Sequence, residues 1–164
     1  MANIQQKLRE SKGNIRREKF LSALNSEFSA FLSRVEYSSE EFCIRNAAFP
    51  ELDEAGHVVT SSRGKVKNWN NFNFKTWQEL VAILKKFQKV KDYIGWFFIQ
   101  RDGPYYRISL NAFFSHITDI SSYGVQNEHY NFGWVGESDD VGIIIEKNQR
   151  GAGEKKFSIC IWGL

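Results

Sequence analysis

Apolar positions along this chain repeat at two periods. Leu21, Leu24, Phe28, Phe31, Leu32 and Val35 recur every three or four residues. That spacing puts them on one stripe of a helix from about Asn14 to Val35. Asn14 suits its N-cap, because an Asn side chain accepts a free N–H of the first turn. Residues 3–11 read as a short preceding helix, broken at Gly13. A second helix starts at Thr76, where Thr76 and Glu79 have the spacing of a capping box. Trp77, Leu80, Val81, Leu84 and Phe87 then form its apolar stripe, with Lys85, Lys86 and Lys89 toward water. Residues 111–123 predict a short third helix, with Phe113, Phe114, Ile117 and Ile120 inward and Gly124 as its stop.

Elsewhere the period is two. Tyr93–Gln100 is a ring-rich strand, apolar on both faces, as expected of a central strand covered on both sides. Arg101–Asp102–Gly103–Pro104 is turn chemistry. Tyr106, Ile108 and Leu110 line one face of the returning strand. Three further alternating runs follow: Tyr130, Phe132 and Trp134; then Val141, Ile143 and Ile145; then Phe157, Ile159 and Ile161. Short loops between them predict an antiparallel meander. Residues 37–74 are poorer in pattern. Phe42, Ile44 and the Val58–Val59 pair suggest short strands, and the Ser-, Asn- and Gly-rich stretch 61–74 suggests a long loop with a strand or two.

Together these elements predict an α+β fold in a single domain spanning 1–164. Its antiparallel sheet combines the C-terminal meander with the 93–110 hairpin. An N-terminal helix, a helix near 76–91 and a short helix near 111–123 pack on it. The 164 residues suffice for a core without a disulfide or metal. The 14 Phe, 5 Trp and 6 Tyr make that core ring-rich. Cys43 and Cys160 are far apart and read as free thiols of a reducing compartment. The polar, charged start resembles no signal peptide. The longest apolar run, Tyr93 to Ile99, is too short to cross a bilayer. A soluble cytoplasmic protein is therefore expected, with no membrane partner and no cofactor.

Candidate chemistry is sparse. His57, His116 and His129 lack metal-ligand spacing, Ser109 and His116 are seven apart with nothing to orient the imidazole, and no phosphate-binding glycine motif occurs. Asp140 with Glu154 and Lys156 imitates the acidic pair and lysine of a metal-dependent nuclease. Antiparallel pairing would set Asp140 and Glu154 at opposite ends of their strands. No catalytic residue is assigned, and an enzyme is not expected.

Charge distribution suggests two binding surfaces. Residues 111–147 carry Asp119, Glu128, Glu137, Asp139, Asp140 and Glu146 against Lys147 alone. Glu128, Glu137, Asp139 and Asp140 flank Tyr130 and Trp134, and aromatic anchors ringed by carboxylates suit a basic protein partner. The expected function is thus a protein-binding inhibitor, of the kind of a bacterial immunity or antitoxin-like protein that neutralises a basic toxin, such as a nuclease, or a basic effector. The alternative is nucleic-acid binding through the basic 61–91 region, where Arg63, Lys65 and Lys67 alternate beside Trp69. A nuclease-like enzyme ranks third.

Overall fold

The computed structural model describes residues 2–38, 50–52, 58–61, 64–65, 70–88, 91–99, 103–127, 131–138, 140–148 and 156–164. Helix α1 (Ala2–Ala23) leads to α2 (Ser26–Ser33) and the short strand β1 (Tyr37–Ser38). Three short strands, β2 (Pro50–Leu52), β3 (Val58–Ser61) and β4 (Gly64–Lys65), pair as a small separate sheet. Strand β5 (Asn70–Phe74), helix α3 (Trp77–Lys85), strands β6 (Ile94–Phe98) and β7 (Tyr105–Ser109) come next. Helices α4 (Leu110–Ser115) and α5 (Ile117–Gln126) then precede strands β8 (Asn131–Gly136), β9 (Gly142–Asn148) and β10 (Lys156–Trp162). The main sheet is seven-stranded and antiparallel, in the order β1-β7-β6-β8-β9-β10-β5. The expected α+β arrangement is therefore present, with hairpin and meander joined into one sheet where β6 pairs with β8.

Side chains alternate across this sheet, and both faces are buried at its centre. Phe97, Tyr106, Ile108, Phe132, Trp134, Ile143, Ile145, Phe157, Ile159 and Ile161 meet the helices in the larger core. Trp96, Phe98, Tyr105, Val135, Ile144 and Trp162 form a second cluster on the opposite face. That double burial explains why Gly95–Phe98 reads as a continuous apolar run.

Trp134 ties the centre of the sheet together. Its indole lies over Gly95, and Nε1 donates to the Ile108 carbonyl at 3.1 Å. It thus spans from β8 across β6 to β7. A Cβ on Gly95 would fall inside van der Waals contact of the Trp134 ring and the Val135 carbonyl. Gly142 holds Trp162 in the same way on the other face.

The helices depart from the pattern-based expectation in three places. Helix α1 runs unbroken through Gly13, and the break falls instead at Leu24 and Asn25. Asn25, not Asn14, is the N-cap: its Oδ1 accepts from Phe28 N at 2.8 Å. Asn14 accepts from the Tyr37 hydroxyl. The 111–123 helix is two helices that meet at His116. Gly124 is no stop; it lies within α5, where its missing side chain lets the helix press onto the Phe132 ring. Helix α3 has the expected capping box and buries Leu80, Val81 and Leu84, but ends at Lys85 rather than 91. Strand β5 appears where the sequence suggested mostly loop, pairing with β10 from Phe74↔Phe157 to Asn70↔Ile161. Val58 and Val59 lie in β3 as expected, whereas Phe42 and Ile44 fall outside the described residues.

Gly95→Ala is expected to lower unfolding stability by about 3 kcal/mol, because neither the ring nor the ladder carbonyl can give way. Chemical denaturation of both proteins checks this, and an unchanged midpoint would show the indole is not wedged as described.

Candidate protein-binding surface

The described residues that suggested catalysis are occupied structurally; His57 and His129 lie outside the described residues. Ser109 Oγ caps α4 by accepting from Ala112 N at 3.1 Å. His116 stacks on Phe28 and Phe31, with ring centroids 4.6 and 5.0 Å away. Burial and the nearby Glu146 charge push the Cys160 thiol up to about 11, so at neutral pH it carries almost no reactive thiolate. Asp140 and Lys156 stand at opposite ends of the β9–β10 pair, since Gly142 faces Trp162 while Lys156 faces Asn148. Glu154 lies outside the described residues. Among the described residues no three His, Cys, Asp or Glu side chains gather as metal ligands.

The two described rings of the expected aromatic row are not at a surface. Trp134 and Phe132 are fully buried, so Trp134 cannot serve as an exposed anchor. The cause is the alternation itself: positions 132 and 134 point into the larger core, where the helices cover them. Glu128, Tyr130 and Asp139 lie outside the described residues. So do Arg63, Lys67 and Trp69 of the nucleic-acid alternative, while Lys65 is placed only by its backbone in β4, opposite Thr60. Asp140 is half-buried at the entry to β9.

Glu137 does sit at a surface, in company the sequence did not suggest. It follows β8, and its N–H donates to the Ile94 carbonyl at 2.9 Å. Arg107 of β7 reaches across β6 to grip its carboxylate, with Nε 3.0 Å and Nη2 2.9 Å from Oε2. Arg107 Nη1 also lies 3.7 Å from Glu36 Oε2. These bonds hold the guanidinium proton more firmly than usual, the Glu137 hydrogen bond contributing most. Two carboxylates thus share the Arg107 guanidinium. Beside Glu137, Ile94 is 45% exposed, one of few large apolar side chains so open among the described residues. An aliphatic knob with a carboxylate-rich rim has the layout of a small interface: an apolar centre, and polar edges that select the partner's charge.

Ile94 was hidden in sequence because it opens a strand that is otherwise buried. Arg107 left a faint signal, being the lone charge in YYRIS at an outward-alternating position. Its pairing with Glu137 needs the β6–β8 register, which no local pattern reveals. No protein-family model, curated protein or solved structure matches the chain, so this surface is interpreted from its own chemistry.

Two measurements check the electrostatics. In a Cys43→Ala background, Cys160 is expected to alkylate far more slowly at pH 8 than a free thiol, gaining speed only toward pH 11; rapid labelling at pH 8 contradicts the burial. Burial also raises the Glu146 carboxyl above its ordinary value. The folded state therefore favours the protonated form, and that stabilisation is present in acid and lost as pH rises through the folded pKa. Glu146→Gln should accordingly raise stability at pH 7 by on the order of 0.5 kcal/mol, since water reaches part of the group. The gain should vanish in acid below the normal carboxylate range, as thermal melts across pH would report.

Proposed function

We propose that this protein acts by binding another protein, as a small cytoplasmic antagonist that neutralises a basic toxin or effector. The observation that carries the reading is the exposed Ile94 beside Glu137, whose carboxylate shares the Arg107 guanidinium with that of Glu36. A partner's arginine or lysine can displace Arg107 from one carboxylate while an apolar side chain covers Ile94. The rim replaces the aromatic row as the contact surface: Glu137 is kept, Ile94 supplies the anchor, and Trp134 supports the sheet beneath. Immunity and antitoxin-like proteins work by this logic, masking a phosphate-binding cleft with carboxylates.

The test is capture from the native host. Tagged protein should retain a basic partner at physiological salt. Glu36→Lys with Glu137→Lys should weaken that complex about 30-fold, as loss of a central charged contact does. Both side chains are exposed enough for the fold to tolerate the change, which circular dichroism would verify. A partner held equally well by the double variant, or one that is itself acidic, would refute the proposal.

A further inference from the structure

Helix α1 carries a second apolar stripe that the fold leaves uncovered. Its C-terminal half is fixed to the body: Phe20 is buried against Phe97, Tyr106 and Tyr123, and Arg17 lies 4.1 Å over the Tyr37 ring. Residues 3–12 are exposed throughout. Ile4, Leu8 and Ile15 are 66%, 55% and 62% exposed. At 3.6 residues per turn they share a sector of about 40°, roughly 140° around the helix from Phe20. The stripe therefore faces away from the protein. Apolar groups on opposite sides of one helix cancel in any averaged amphipathicity, so the feature does not stand out in the sequence.

Beside the stripe runs a row of cations. Arg9, Lys12, Arg16 and Lys19 occupy the adjoining sector of about 80° and span about 15 Å of the helix axis. No carboxylate of α1 shares that sector; Glu10 and Glu18 lie elsewhere on the wheel. The row ends at a cleft of about 170 Å³, bordered by Arg16 and Lys19 and floored by Phe20, Ile99 and Pro104.

We propose that α1 lays this outward face on an anionic phospholipid surface. Its aliphatic side chains would enter the boundary between headgroups and acyl chains, while the cation row meets lipid phosphates. Charge complementarity selects this occupant. A second copy of the chain would bring another helix with six basic and two acidic residues against the first. Nucleic acid would engage the cations but leave three aliphatic side chains without a role. A planar anionic surface engages both adjoining sectors at once. The expectation that no membrane partner exists came from the lack of a spanning segment, and among the described residues no helix is long and apolar enough to cross a bilayer; a helix lying flat needs none. The inference is independent of the rim around Ile94.

Flotation of the full chain with vesicles tests it. The protein should float with equimolar phosphatidylglycerol and phosphatidylcholine, and bind pure phosphatidylcholine at least about tenfold more weakly. Rising salt should weaken the binding. Ile4→Gln, Leu8→Gln and Ile15→Gln together should reduce it about tenfold or more with the helix intact, since the positions are exposed and Gln is a good helix former. Arg9→Gln with Lys12→Gln should flatten the salt dependence. If the wild type ignores the anionic vesicles at low salt, the proposal fails and an acidic protein groove becomes the occupant to seek. If the triple variant floats as well as the wild type, the attraction is charge alone and the proposal also fails.

Discussion

The sheet depends on one indole laid over one missing side chain. Trp134 crosses Gly95 to reach the Ile108 carbonyl, which brings β7, β6 and β8 into a single packed unit. Because Trp96, Phe97 and Phe98 bury their rings on both faces of β6, the hairpin and the meander cannot separate without exposing rings on each side at once. This joint fixes which rings are closed to any partner. Trp134, Phe132, Tyr105 and Tyr106 are all spent on the interior, so the sheet's faces offer little. Among the described residues, large aliphatic side chains stay open at the end of β6, where Ile94 emerges, and along the helix that leads into the fold.

How much of this was readable in the sequence follows from the range of the forces involved. Helix α3 was legible because its start is set by two side chains three residues apart and its burial by a regular stripe. The strands of the meander were legible for the same reason. The break at His116 was not, because the stacking of its ring on Phe28 and Phe31 involves a helix about ninety residues earlier. Strand β5 was obscured by its composition: Asn70, Asn71 and Asn73 suit turns, yet pairing with β10 supplies the hydrogen bonds that a turn would otherwise provide. Gly13 misled in the opposite direction, since one glycine costs a helix only about 1 kcal/mol and is tolerated within a long one.

The candidate surface was legible in part. Acidic enrichment after residue 127 drew attention to the segment that follows β8, where Glu137 lies. The error was to assign the ring row to the same side. Alternation says that Phe132 and Trp134 share a face; it does not say whether helices or water cover that face. Arg107 could not be paired with Glu137 from sequence, because they meet across an intervening strand rather than along one.

An acidic rim that already contains an arginine can look self-satisfied and therefore inert. The energetics argue otherwise. Arg107 and Glu137 are each more than a third exposed, and exposed ion pairs contribute at most about 1 kcal/mol. Exchanging Arg107 for a partner's guanidinium thus costs little, while covering Ile94 and drying the pair strengthens every charge interaction beneath the contact. Until then the internal arginine holds Glu137 in one geometry on a rigid strand end, so less side-chain entropy is lost on docking. A contact built this way would discriminate by sign: a basic partner would gain a carboxylate already in position, and an acidic one would meet those of Glu36 and Glu137.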